Sequence, residues 1–198
     1  AFGHAHPDGQ RQAGPVLGRE RQAERDKYSD ANRAAILRRG HEVGLQFASH
    51  DDATPAHVEE ALRDGVVIAE FPTTLEAAKA AHAGGLAVLM GAPNVVRGGS
   101  HNGNIAAGDL ARAGVLDVLS SDYVPFALML AGFLLPERVE GMTLPQAIAT
   151  VTRNPARAAR LEDRGEIAQG KRADLVRVRV KDGMPVVRAV YRQGMRVS

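Results

Sequence analysis

Short apolar runs alternate with longer stretches of helical period through most of the chain. The runs are GLQFAS (Gly44–Ser49), VVIAEF (Val66–Phe71), LAVLM (Leu86–Met90) and VLDVLS (Val115–Ser120). Each is followed by a polar or Gly/Pro-rich turn and then a candidate helix, the sequence form of βα units around a parallel sheet. Thr54-Pro55 supplies an N-cap and first helical residue for a helix running to Asp64, where Gly65 stops it. Thr74 opens a second helix, TLEAAKAAHA, ended by Gly84-Gly85. The Arg/Glu-rich stretch from about Arg19 to Arg39 forms a third, closed by Gly40.

After Pro136 the pattern changes. MTLPQAIATVTRNPARAAR predicts one or two helices, with Pro145 near a start and Asn154-Pro155 as a break. From Gly165 onward the chain reads as strands, with Lys181-Asp182-Gly183 as a hairpin turn between two Val-rich runs. The expected division is an α/β body over 1–160 and a small β element over 161–198. Counting the opening segment AFGHAH, the body offers five strand candidates, against the eight of a closed (β/α)8 barrel. An open five-stranded sheet and the latter part of a barrel both satisfy that pattern.

Composition narrows the function classes. With 198 residues and 44% hydrophobic content, the chain can bury a core. The absence of Cys excludes a disulfide scaffold and any thiolate metal site, which leaves His, Asp and Glu as strong ligands. No stretch approaches the roughly 20 apolar residues of a membrane span, and no basic-then-apolar signal opens the chain, so a cytoplasmic protein without membrane contact is expected. The net charge is +2, and no Lys/Arg stripe is interleaved with the scarce aromatics, so nucleic acid is not an expected partner.

Barrel and open sheet alike place their active sites at the carboxyl ends of the strands. Those ends carry His4 and His6, then His50-Asp51-Asp52, Glu70-Phe71-Pro72-Thr73, Gly91-Ala92-Pro93-Asn94 and Ser121-Asp122-Tyr123. On a strand, His4 and His6 would aim both rings at one face. His and Asp from separate strand ends are the donors of a hydrolytic zinc, manganese or iron centre, which needs nitrogen and oxygen ligands and an open position for water. Taken singly, His50 reads equally well as a turn or helix cap and Asp122 as a turn residue. His41, His57 and His82 fall in or beside helices and read as surface residues.

A second feature is APNVVRGGSHNGN (Ala92–Asn104), read as a loop after a strand. Glycines let backbone amides turn toward a ligand, and Arg grips phosphate with a two-pronged donor pattern. Without the Lys-Ser/Thr ending of a P-loop, the glycines alone are a weak phosphate signal, and Arg97 and His101 strengthen it.

ASHDDAT (48–54), IAEFPTTLEAA (68–78), VLMGAPNVVRGGSHNGN (88–104), VLSSDYVP (118–125) and TRNPARAARLEDRGEIAQGKRADLV (152–176) together closely resemble the phosphonate-metabolism diphosphatases of the carbon-phosphorus lyase pathway, within the amidohydrolase superfamily. The similarity runs over nearly the whole chain in unchanged order. The resemblance implies the later strands of an amidohydrolase-type (β/α)8 barrel and the C-terminal part of a small β-sandwich, in a chain truncated at its N-terminus. It implies hydrolysis of α-D-ribose 1-methylphosphonate 5-triphosphate to the 5-phosphate and diphosphate, with a divalent metal, zinc first and manganese or iron as alternatives.

Carried over by position, His50 and Asp122 are metal ligands, and Asp122 also takes the proton from the attacking water. GQRQ (9–12) resembles the family segment after a mid-barrel strand ending in Asp-His. His6 then stands at that His, Ala5 stands where the Asp is expected, and His4 lies one residue further back, with no role assigned to it. Arg97, with Asn94, Gly98, Gly99, Ser100 and His101, suits the triphosphate on chemical grounds rather than by carry-over. The expected partners are the phosphorylated ribose methylphosphonate and either a second copy of the chain or an N-terminal half polypeptide. The competing expectations are a relative acting on a C–N bond, such as a cyclic amidase or deaminase, and a non-catalytic fragment.

Overall fold

The computed structural model describes residues 15–100 and 103–198, with side chains of the first helix from Lys27 onward. His4, His6, His101 and GQRQ lie outside the described residues. The chain forms two compact units, one ending at Leu45 and one spanning Gln46–Ser198.

In the first unit, α1 (Pro15–Glu42) starts on a proline, whose missing N–H costs nothing in a first turn. It runs through Gly40, where the sequence suggested a stop. The reversal comes at Gly44 (φ 73), with the Leu45 amide donating to Gly40 O and the Gly44 amide to His41 O. This double bond pattern around a left-handed residue ends a helix more firmly than a glycine within it.

The second unit contains β1 (Phe47–His50), α2 (Pro55–Arg63), β2 (Val66–Glu70), α3 (Leu75–Ala83), β3 (Ala87–Gly91), α4 (Ala92–Arg97), α5 (Ala107–Arg112), β4 (Val118–Ser120), α6 (Ala127–Arg138), α7 (Leu144–Ala149) and α8 (Arg153–Ala158). It continues with β5 (Leu175–Lys181), β6 (Met184–Arg192) and β7 (Met195–Arg196). The four apolar runs are thus the four strands of one parallel sheet in the order β1-β2-β3-β4. Each strand lies beside its neighbour in the chain. That winding is a barrel's, whereas a doubly wound open sheet reverses its order at a switch point.

Local chemistry explains the helices. Thr54 and Thr74 accept the amides of His57 and Ala77 through their hydroxyls, at 3.3 and 3.1 Å. One face of the sheet, carrying Ala69, Val88, Met90 and Leu119, is buried against Val58, Ala77, Ala81 and Leu110 of the core. The small alanines let α3 approach the strands closely. The strand positions in register with His50 place Glu70, Leu89 and Val118 on the opposite face. At the amino ends of the strands, Asp117 Oδ2 meets both the Val88 amide (2.9 Å) and His82 Nδ1 (3.0 Å), tying β3, α3 and the start of β4 together.

Three expectations change. The APNVVRGGSHNGN stretch is not all loop, because Ala92–Arg97 forms α4 with Pro93 in its first turn. Asn154-Pro155 is not a break but the first turn of α8, where the missing proline N–H has no helical acceptor to lose. The break falls at Thr150–Thr152 instead. Pro136 lies inside α6, and the helix ends two residues later, at Arg138.

The strands β5-β6-β7 form a separate antiparallel sheet. Its first hairpin turns at Asp182-Gly183 (φ 50 and 76), as the sequence indicated, and a second turns at Gln193-Gly194 (φ 52 and 80). Two positive φ values in a two-residue loop match the right-handed twist of the strands they join. Asp174 accepts from Arg172 Nε (2.7 Å) and from the Gln193 amide (2.9 Å), holding the second turn to the start of β5.

The Arg172 guanidinium and the Gln193 amide hold the Asp174 carboxyl below its usual value of 3.8, and the Arg164 guanidinium does the same for Asp163. Since both folded values lie below the unfolded ones, their stabilisation is complete above about pH 4 and is lost as pH falls through the folded values. The thermal midpoint should therefore gain nothing from these groups between pH 7 and pH 5. Its decline below about pH 4 should be shallower in Asp174→Asn, as read by circular dichroism melts across that range.

Candidate active site

The loops at the carboxyl ends of the strands are stitched together by main-chain bonds. The Asp51 amide donates to Glu70 O (3.0 Å), Phe71 to Leu89 O (2.9 Å), Thr73 to Asp52 O (2.9 Å) and Ile105 to Thr73 O (3.1 Å). The Thr74 hydroxyl adds a bond to Ala53 O at 2.9 Å. The mouth of the sheet is therefore a connected rim running from β1 across β2 to the segment after α4.

Among the described residues at the carboxyl ends of the strands, three other than glycine adopt positive φ: Asp51 (60), Phe71 (53) and Asp122 (50). Each follows a strand directly or after one residue. Left-handed backbone at a bulky residue costs on the order of 1–3 kcal/mol and persists where surrounding contacts enforce it, often at functional sites. Asp51 and Phe71 each make one last inter-strand bond before the chain turns away, which is the contact that enforces the bend. Phe71 carried no signal in the sequence beyond its place at a strand end.

The three residues His50-Asp51-Asp52 do different work. The His50 ring is exposed, with Nδ1 3.0 Å from Asp51 Oδ2 and the Phe71 ring in a T-shaped contact with it, 5.3 Å between centroids. A carboxylate on one ring nitrogen orients the ring and leaves Nε2 for a ligand. Asp52 is buried and accepts from Ser49 Oγ, bracing the turn. Replacing Asp52 with Ala should leave that hydroxyl unsatisfied and lower stability by about 1–3 kcal/mol, measurable as a shifted urea midpoint.

Asp122 is exposed and turns toward β3, where a Cβ placed on Gly91 would lie 2.9 Å from its Oδ2. The carboxylate thus sits over the bare Cα at the end of the neighbouring strand. His50 ends β1 and Asp122 follows β4, the first and last strands of the sheet. Among the described residues no three His, Asp or Glu side chains gather closely enough to hold a metal ion. Among the described residues the donor chemistry suits a metal, with an oriented imidazole and an exposed carboxylate, and these two donors are one fewer than the three protein ligands a catalytic site uses.

Asn94, Arg97 and Gly98 line a cavity of about 370 Å³ with Asp109, Arg112 and Arg138, between α4, α5 and α6. Gly99 and Ser100 are not among its lining residues. The Asn94 side chain is engaged, since its Oδ1 accepts the Ala107 amide at 2.9 Å and so sets α5 against α4. Arg138 donates to Val95 O and, at 3.2 Å, to Val96 O, closing the carboxyl end of α4. Neither Arg112 nor Arg138 stood out in the sequence, because each lies in an unrelated helix.

The model of the amidohydrolase family matches residues 8–194 of this chain. The chain belongs to the amidohydrolase family. Members of that superfamily usually use divalent metals. This amidohydrolase is 53% identical over 172 residues to the α-D-ribose 1-methylphosphonate 5-triphosphate diphosphatase of Escherichia coli, covering 86% of the chain and 46% of that protein. It therefore spans about half the length of this curated relative. Among solved structures, it superposes on an uncharacterized protein with a TM-score of 0.61 at 23% identity, covering 83% of this chain and 48% of the other. On A. niger ochratoxinase the TM-score is 0.59 at 18% identity, covering 81% and 44%. Both likenesses are of fold. Among its described residues, no helix is long and apolar enough to cross a membrane.

Proposed function

We propose that this chain carries the later barrel strands of a hydrolase acting on a phosphoric anhydride, which cleaves α-D-ribose 1-methylphosphonate 5-triphosphate to the 5-phosphate and diphosphate. The observation that carries the reading is the 53% identity over 172 residues to the E. coli diphosphatase. In this reading residues 1–160 belong to the barrel and 161–198 to a small β-sandwich.

His50, its ring set by Asp51, and the Asp122 carboxylate would be donors to a divalent ion, zinc before manganese or iron, with His6 as a third. Such an ion, when bound, supplies Lewis acidity toward water and phosphoryl oxygen. Asp122 accepts the proton of the attacking water. The water oxygen bonds to phosphorus, the anhydride bond between the first and second phosphoryl groups breaks, and diphosphate leaves. Arg97, with Asn94, Gly98, Gly99, Ser100 and His101, meets the negative charge of the triphosphate.

The test uses the chain alone and the chain joined behind the N-terminal half of the E. coli relative, each with zinc or manganese. Diphosphate should be released by the joined form. The isolated chain, which in this reading carries only the later strands of the barrel, should release little and bind less than one metal per chain. Turnover of a cyclic amide by the joined form, with no diphosphate released, would replace this reading with C–N hydrolysis.

A further inference from the structure

The cavity between α4, α5 and α6 gathers positive charge that the described residues lining it do not neutralise. Three of its lining residues are arginines, Arg97, Arg112 and Arg138, and the acidic one is Asp109. Arg112 Nη1 pairs with Asp109 Oδ1, which removes one charge and leaves the wall with an excess of two. Arg138 spends its donors on the carbonyls of Val95 and Val96 but keeps its charge. The Arg97 side chain has no hydrogen-bond or ion-pair partner among the described residues. Gly98, left-handed at φ 85, completes the wall where a Cβ would lie 3.2 Å from Arg138 Nη1.

Guanidinium groups facing a common space repel one another unless an anion lies between them, and their planar forks match the oxygens of a phosphoryl group. The volume, about 370 Å³, is in the range of small-molecule sites. His50, Glu70, Phe71 and Asp122 of the strand ends do not line it. We propose that this cavity binds a phosphate-class oxyanion, with Arg97 and Arg112 as its two adjustable ligands and Arg138 as a fixed charge. The anion is either free diphosphate or the terminal phosphoryl groups of a bound substrate. The first source is independent of the reaction proposed above, and the second rests on it.

Titration calorimetry of the full chain with sodium diphosphate in chloride buffer, and with inorganic phosphate, tests the site. Diphosphate should bind with a Kd below about 1 mM, and Arg97→Gln or Arg112→Gln should weaken it by about 10-fold or more. Both side chains are exposed, so the thermal midpoints of these variants should stay unchanged. Asp109→Asn releases Arg112 and should tighten binding, while Asp122→Asn should leave it as it was. Absence of binding up to about 10 mM, equal affinity in the arginine variants, or loss of binding in Asp122→Asn each overturns the proposal.

In the joined enzyme the two sources separate. Arg112→Gln raises KM for the triphosphate if the cavity holds the substrate tail, whereas it relieves inhibition by added diphosphate at constant KM if the anion is free. Failure of the joined enzyme to turn over the triphosphate counts against the proposed reaction. The calorimetric result on the chain stands apart from it.

Discussion

Placing a methyl group on Gly91 should lower diphosphate release in the joined enzyme by about 100-fold or more while leaving the fold intact, the loss expected when a positioned proton acceptor is displaced. Gly91 has φ −74 and ψ 129, values any residue adopts, so alanine brings no backbone strain. The new Cβ would lie 2.9 Å from Asp122 Oδ2 and 3.4 Å from Asp122 Cβ. A carboxylate is the far end of a short flexible side chain, so it rotates away rather than unfolding the sheet. Stability is spared and the position of the carboxylate is not. Asp122→Asn should cause a comparable fall, and adding Gly91→Ala to it should cause little more, because both changes act on one group. Steady-state kinetics with a parallel thermal melt reads both quantities. A Gly91→Ala enzyme of normal rate would remove Asp122 from the reaction.

The strand that ends in Gly91 was legible as the apolar run LAVLM, and Asp122 was legible as an acidic residue after the next run. That the two meet was not. Gly91 in the sequence looked like the start of a turn, and its service as open space for a carboxylate 31 positions away depends on the register of β3 against β4.

The second large effect concerns the connection out of the parallel-sheet unit. Gly165→Ala should destabilise the chain by about 2–4 kcal/mol, the sum of a left-handed alanine and a close contact with main chain. Gly165 has φ 98, and an added Cβ would lie 2.7 Å from Ala156 Cβ, 3.0 Å from Arg153 Cα and 3.1 Å from Thr152 O. Two of those atoms belong to the backbone at the start of α8, which the Asn154 side chain ties to Asp117 O at 2.9 Å. The neighbours cannot swing aside as Asp122 can. Gly170 is the control. Its φ is 82, but nothing lies within 4 Å of its added Cβ, so Gly170→Ala should cost only the conformational part, about 1–2 kcal/mol. Equal urea midpoints for the two variants would show that the contacts at Gly165 relax.

Much of the architecture follows from short-range chemistry. Apolar runs, threonine caps, the proline after Thr54 and the Asp182-Gly183 turn all act within a few residues, so the sequence alone determined the βα order, the hairpin and the likeness to phosphonate-pathway diphosphatases. Where a local signal had two uses, the tertiary structure chose between them. Gly40 could stop a helix or continue it, Asn154-Pro155 could break one or begin one, and Ala92–Arg97 could be loop or helix.

What only the tertiary structure decided is the arrangement of the chemistry. The sequential strand order, Phe71 against His50, Asp122 over Gly91, and Arg112 and Arg138 converging on Arg97 all join residues far apart in the chain. Side-chain direction and strand register set those meetings. Neither is written in residue types or in their spacing, because both depend on how the whole sheet and its helices pack.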